Sequence, residues 1–227
     1  MFYLVGVEHG VQSKSKDATE TAEQAEYRSC LERAIKAFKP TILAEEFNKD
    51  ALERAAFVRK APQEPFTKQI AFEAGISHMF CEPDLYTKLD FGYQGRDGWL
   101  HHIDGLWEQV PEPNRSLLAG ALEIMKDFPL REEFWLNQMK DVLEEEIIFI
   151  CGDGHIETFA ERLAAKKIGS ELVQRQIGMT ADLIEKNNQI VEFLRVNSEY
   201  VEAQYQKILK ENGGTIESPH DPRRRSS

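Results

Sequence analysis

The stretch ICGDGHIETF (residues 150–159) stops an apolar run on two glycines and a histidine, with acidic residues on both sides of that histidine. A hydrophobic strand passing into a helix through a glycine-containing turn is a common join in α/β proteins, so the stretch taken alone is ambiguous. A second copy makes it informative. FYLVGVEHG (residues 2–10) has the same layout, an apolar run followed by Gly6, two residues and His9. The chain therefore carries two strand-Gly-x-x-His elements, Gly6 to His9 and Gly152 to His155, and its reading turns on whether the two histidines meet.

Between these ends, apolar runs of strand length alternate with segments of helical period. Residues 2–6, 41–46 (TILAEE), 76–81 (ISHMFC) and 146–151 (EIIFIC) have the short apolar character of strands covered on both faces. Ala25, Leu31, Ala34, Ile35 and Phe38 recur at helical spacing until Lys39-Pro40 ends the helix. PFTKQIAFEAG predicts a helix from Pro65 capped by Gly75. Residues 85–112, rich in Gly, Asp and aromatics without a clear period, read as a long loop of the functional or mobile kind. Helices are expected at 114–127, 130–144 and 155–167. The alternation predicts an α/β fold, a mostly parallel central sheet flanked by helices.

In an open parallel sheet, ligands bind at the edge where the strands' C-terminal ends emerge. His9 follows the first strand, Glu45 and Glu46 end the second, Glu82 and Asp84 follow the third, and His155 follows the fourth. Every reactive candidate falls on that one edge, where Glu8 and Asp153 are additional candidates. Two imidazoles and a carboxylate converging there suit either a divalent transition metal (Mn, Co or Zn) held by His9, Glu46 and His155, or a base with its orienting acid. Strand alternation turns Glu45 away from Glu46, so the two are not expected to share one task. Arg131 opens a helix, an unfavourable place for a cation relative to the helix dipole; its roles are a salt bridge, an anion clamp or an oxyanion partner.

Composition narrows the classes. A chain of 227 residues with a net charge of −11 is long enough for one α/β domain plus an extension, and its charge disfavours nucleic acid or an anionic membrane as partner. No window approaches the roughly 18 to 20 apolar residues of a membrane span, and MFYLVGVEHG lacks the length and basic flank of a signal peptide. A cytoplasmic location is expected. Cys30, Cys81 and Cys151 are odd in number and read as reduced thiols. The terminal RRRSS reads as a short disordered tail.

The residues resemble the TraB/Tiki superfamily, related to the erythromycin esterase-like and ChaN-like proteins. That family is marked by Gly-x-x-His after the first strand, a glutamate ending the second, an arginine before a helix and a C-terminal Gly-x-x-His. The matching positions are Gly6 to His9, Glu46, Arg131 and Gly152 to His155. AIKAFKPTILAEEF is similar to the family's helix-Pro-strand-Glu segment, with Glu46 six residues after Pro40. REEFWLNQMKDVLEEEIIFICGDGHIETFAERL resembles its Arg-helix-strand-Gly-x-x-His-helix block. The similarity spans residues 1–169 and is weak over 85–128. It implies a hydrolase-like site, in some branches a metal-dependent peptidase and in others an esterase, with catalytic candidates His9, Glu46, Arg131 and His155. The membrane segments and extracellular setting of Tiki proteins are absent from this pattern.

Rival readings are weaker. GDGH lacks the P-loop lysine and the dinucleotide fingerprint. Cys151 ends an apolar strand, where inert packing is the ordinary role of a thiol. His78 reads as a satisfied core histidine, and His101-His102 as lid residues or nothing. Beyond 170 the chain reads as a helical extension to 214, followed by the tail 215–227. Leu183, Ile190, Leu194, Val201, Tyr205 and Ile208 mark one long amphipathic helix, whose stripe packs on its own domain or, through 179–212, on a second chain as a homodimer. Two classes therefore stand: a hydrolase acting on a small-molecule or peptide substrate, and a non-catalytic interaction protein that keeps the fold and works through its long helix.

Overall fold

A computed structural model describes residues 1–105, 114–217 and 219. The chain divides into two compact units, Met1–Asp84 with Glu132–Thr180, and Leu85–Arg131 with Ala181–Ser227.

The first unit is built on a five-stranded, all-parallel sheet. Its strands are β1 (Phe2–Val7), β3 (Ile42–Glu45), β5 (Ser77–Phe80), β6 (Ile147–Gly152) and β7 (Ser170–Ile177), in the order β5-β3-β6-β1-β7. Alternate residues of each strand feed two cores. Phe2, Leu4, Ala44, Ile147, Phe149 and Cys151 pack on one face with Phe159 and Leu163 of α8 (Ile156–Ala165) and with Trp135, Leu136 and Met139. Val5, Val7, Leu43, Ile148 and Ile150 pack on the other with Tyr27 and Leu31 of α1 (Ala22–Phe38) and Phe66 and Ile70 of α3 (Phe66–Ala74). Burial on both faces is why these strands are apolar runs rather than alternations. Each fully buried Leu or Phe contributes roughly 1.5–3 kcal/mol.

Local chemistry sets the helix ends. Thr21 and Gln24 form a reciprocal capping box at the start of α1, and Lys39 ends it in a left-handed conformation. Gly75 closes α3 at φ 70, as its position in the sequence predicts. α1 carries the chain from β1 to β3 over one face, whereas α8 carries it from β6 to β7 over the other. The chain thus leaves the adjacent strands β1 and β6 toward opposite faces, opening the crevice where such sheets bind ligands. A short antiparallel ribbon, β2 (Ser13–Ser15) with β4 (Gln63–Pro65), and the helix α2 (Lys49–Arg59) complete the unit.

Three expectations need correction. Residues 85–105 are not loop: they hold α4 (Leu85–Asp90) and α5 (Gly95–Asp104), while 106–113 lie outside the described residues. The buried stripe of α5 is Gly95, Gly98, Trp99 and Ile103, and glycine gives no apolar signal to a periodicity reading. The second correction is the expected break between 127 and 130. α6 (Asn114–Leu122) instead continues through a π turn (Glu123–Asp127) into α7 (Phe128–Gln138). The wider i to i+5 bonding falls just before Pro129, which has no N–H to donate, so the helix survives the proline. It stops at Gln138, short of the expected 144. Third, residues 170–177 are the edge strand β7 and not the start of a helical extension. The tail from 215 is described only at 215–217 and 219.

In the second unit, α9 (Ala181–Glu211) runs with one non-helical residue, Asn197. Its Ile190 lies so close to α6 that a Cβ on Gly120 would meet it at 2.8 Å. Val201 and Ile208 join Trp99, Ile103, Leu118 and Leu122 in one core, so the stripe of the long helix packs within its own unit. Asp127 is buried there, accepting from the Gly95 N–H at 2.7 Å and Trp99 Nε1 at 2.9 Å. Burial pushes its carboxyl from 3.8 up to about 7. A raised folded-state value means the protonated form is the better tolerated one. Its contribution is complete below pH 3.8 and lost as pH rises through about 7. We expect stability to urea to fall over that window by up to about 4 kcal/mol, at roughly 1.4 kcal/mol per unit. Asp127→Asn should remove the slope, and an identical slope in both proteins would contradict this.

Candidate functional site

The two Gly-x-x-His elements lie side by side because β1 and β6 are neighbours, with Gly6 opposite Cys151 and Val7 opposite Gly152. β3 flanks β6 on the other side, and the Glu46 N–H donates to the Ile150 carbonyl at 2.7 Å. Three adjacent strand ends thus deliver His9, His155 and Glu46 to one place. Glu46 Oε1 lies 3.5 Å from His9 Nε2 and 3.8 Å from His155 Nε2, while its Oε2 accepts the Gly152 N–H at 2.7 Å. The Glu46 and His155 side chains are 1 % and 3 % exposed, and that of His9 47 %. One imidazole is therefore sealed and the other faces solvent across a buried carboxylate, whose burial is offset in part by the Gly152 amide it accepts.

The glycines of the two motifs have interlocking reasons. A Cβ on Gly6 would meet Asp153 Oδ1 at 2.6 Å and Ile156 Cγ1 at 2.9 Å, and one on Gly152 would meet His9 Nε2 at 2.9 Å. Each glycine makes room for the other arm. Gly152 has φ −55 and ψ 138, which alanine adopts freely, so Gly152→Ala should fold and displace the His9 ring. The expected outcome is at least a tenfold loss of any His9-dependent turnover with a melting shift of only a few degrees. Unchanged turnover would show that the ring position is immaterial.

Each histidine is oriented from behind. His155 Nδ1 lies 2.9 Å from Glu132 Oε1, which also accepts the Thr158 hydroxyl at 2.5 Å, while Arg162 Nε donates to Glu132 Oε2 at 3.1 Å. Trp135 stands edge-on to the His155 ring, with centroids 4.8 Å apart. A carboxylate facing Nδ1 makes that nitrogen the N–H, so a neutral His155 turns its bare Nε2 toward Glu46. His9 Nδ1 lies 2.7 Å from Gln12 Oε1 and has the same logic.

The remaining candidates are placed as follows. Glu45 faces away from Glu46 and accepts from Gln12 Nε2, the Thr67 hydroxyl and His78 Nε2, so His78 is satisfied. Glu8 caps the 3-10 turn that carries His9, accepting from the Gly10 N–H. Asp153 holds Arg175 of β7 through both oxygens, each at 3.0 Å, and accepts the Gln176 N–H, latching the turn after β6 to the sheet edge. Asp153 and Glu157 put negative charge where a phosphate would sit on α8, which disfavours a phosphate at GDGH. Glu82 accepts from Trp135 Nε1 at 2.8 Å, and Asp84 ends the first of the two segments that make up the first unit. Arg131 belongs to the second unit, where its guanidinium lies over the Tyr93 ring at 5.7 Å. His101 and His102 lie on α5 of that unit. Cys151 is buried in the core, and burial raises the Cys81 thiol far above its ordinary value, so neither is an activated nucleophile.

Glu132 and Gln12 escaped the sequence reading. Glu132 had a signal, since it shares a helical stripe with Trp135, Leu136 and Met139, the spacing of a core face. Among the described residues no group of three His, Cys, Asp or Glu side chains is arranged to hold a metal ion, so His9, Glu46 and His155 gain no support as an ion-binding set. A cleft of about 380 Å³ borders the turn carrying His9, with Glu8, Gly10, Lys14, Thr19, Thr21 and Arg59 on its wall. Comparison with protein-family models, curated proteins and solved structures finds no match to this chain. The resemblance to the TraB/Tiki superfamily therefore rests on the quoted motifs alone.

Proposed function

We propose that the chain is a TraB/Tiki-like hydrolase that cleaves an ester or peptide bond by histidine acid–base chemistry. The observation carrying this reading is the approach of both Nε2 atoms to one buried oxygen, Glu46 Oε1. His9, half exposed and beside the cleft, takes a proton from water at its bare Nε2 as the water attacks the carbonyl. Glu46 stabilises the imidazolium that forms, and the proton then passes to the leaving group. His155, held by Glu132 at its Nδ1, forms the sealed wall of the site against which Glu46 lies. This chemistry needs no ion. A bound Mn, Co or Zn would add Lewis-acid activation of water, with the same three residues as its available donors.

Among the described residues no helix is long and apolar enough to cross a membrane. Cys30, Cys81 and Cys151 are all buried thiols, which suits a reducing compartment, and we place the protein in the cytoplasm on that ground. The test is a panel of ester and peptide substrates offered to the purified protein, with chelator and with each of the three metals. Turnover that His9→Ala abolishes is expected. Rates equal to buffer throughout would overturn the reading in favour of a non-catalytic interaction protein, and turnover indifferent to His9→Ala would overturn His9 as the base.

A further inference from the structure

Behind His9 runs a chain of hydrogen bonds that ends on a carboxylate with no role in the chemistry above. His9 Nδ1 meets Gln12 Oε1 at 2.7 Å, and Gln12 Nε2 donates to Glu45 Oε2 at 2.8 Å. The same Oε2 accepts the Thr67 hydroxyl at 2.6 Å, while Glu45 Oε1 lies 2.8 Å from His78 Nε2. Because Thr67 spends its one proton on Glu45, the Tyr27 hydroxyl at 2.7 Å must be the donor to Thr67. Burial holds the Tyr27 phenol well above its ordinary value, so that proton stays. Every donor in the chain thus points at Glu45. Gln12, Glu45 and Thr67 are fully buried, at 0 % exposure.

The direction of these bonds has a consequence at the solvent end. Inverting the Gln12 amide would put its oxygen 2.8 Å from a carboxylate oxygen, acceptor against acceptor, so Glu45 fixes which end of Gln12 faces His9. That end is the carbonyl oxygen, an obligate acceptor. A neutral His9 must therefore carry its proton on Nδ1. An apolar residue at 45 would pack against the same core without the desolvation cost, so the buried carboxylate calls for a role.

We propose that Glu45 is a positioning residue which, through Gln12, locks His9 in the Nδ1–H tautomer with a bare Nε2 toward Glu46. The proposal rests on His9 as the general base, yet its main test does not need the substrate. Two-bond proton–nitrogen NMR on the full chain, labelled at the histidine nitrogens and held at a pH where the imidazoles are neutral, reads the tautomer directly. The wild type should show His9 in the Nδ1–H form alone. Glu45→Gln, which lets the Gln12 amide invert, should add the Nε2–H form, and Gln12→Met should do the same if the first variant does not fold. The double substitution of Gln12→Glu with Glu45→Gln returns an obligate acceptor opposite His9 and should restore the lock, a rescue no purely structural role predicts. Where turnover is measurable, Glu45→Gln should lower kcat about 10- to 100-fold with KM little changed. A mixed tautomer in the wild type, or an unchanged one in both folded single variants, overturns the proposal. A locked tautomer in a protein that turns over nothing would instead sink the hydrolase reading and leave the lock standing.

Discussion

Glu46→Gln is expected to lower kcat/KM by about 10²- to 10³-fold while leaving the melting temperature unchanged or slightly raised. The substitution keeps the shape and removes the charge. The Gly152 N–H still needs an acceptor, so the amide oxygen takes the place of Oε2 and the amide nitrogen faces both Nε2 atoms. That nitrogen donates to the lone pairs it faces and offers nothing to an imidazolium. The lost attraction for a charged His9 at 3.5 Å is about 1 kcal/mol in a watery setting and about 5 kcal/mol at an effective dielectric of roughly 20. His9 is half exposed, which pulls toward the lower figure. The buried carboxylate and His155 pull toward the higher, and about 3–4 kcal/mol corresponds to the stated range. Stability should not suffer, because an uncharged amide is cheaper to bury than a carboxylate. Steady-state kinetics with a thermal melt on the same sample separate the two effects. Wild-type kcat/KM in a folded Glu46→Gln protein would remove this carboxylate from the mechanism.

The convergence of His9, Glu46 and His155 was legible because parallel strands buried on both faces announce themselves as apolar runs, and their C-terminal ends share an edge. What was hidden is what lacks a periodic apolar signal. α2 buries no residue, so no stripe marks it, and exposed Phe57 and Val58 carry no phase. β7, placed by the sequence in the helical extension, is an edge strand whose charged Glu171 and Arg175 interrupt its apolar residues, although Arg175 grips Asp153. In α5 two of the four buried positions are glycines. At the site, ligating types were found from the strand ends, but the residues that orient them were not. Gln12 is three positions after His9, yet nothing in the sequence says that a 3-10 turn will bury it. Glu132 stood beside Arg131, the residue that drew attention, and its own place on the stripe of Trp135, Leu136 and Met139 was the better clue.

That stripe makes Glu132 the second residue whose loss should be felt strongly, this time in stability. Glu132→Ala is expected to destabilise by about 2–4 kcal/mol, and in a chain of this size that lowers the melting temperature by roughly 4–16 °C. The carboxylate receives three donors, and they do not suffer alike. Arg162 also reaches Glu133 Oε2 at 3.4 Å, and the Thr158 hydroxyl also lies 3.2 Å from the His155 carbonyl, so both have a partial refuge. His155 Nδ1 loses the carboxylate that orients it inside a sealed pocket against Trp135. A buried donor left unmade costs about 1–3 kcal/mol, and the space vacated by the side chain adds about one more. Glu132→Gln should cost less, because its amide oxygen still serves His155 while the amide nitrogen faces Arg162. The two variants also differ at the site. With alanine the His155 ring is free to adopt the Nε2–H form and donate to Glu46, whereas glutamine preserves the Nδ1–H form, so only the first should convert His155 from an acceptor to a donor. Urea melts of both variants, with the His155 tautomer read by the same nitrogen-detected NMR, check the two halves together. A Glu132→Ala protein as stable as the wild type, with His155 still protonated on Nδ1, would mean that something other than this carboxylate holds the sealed imidazole in place.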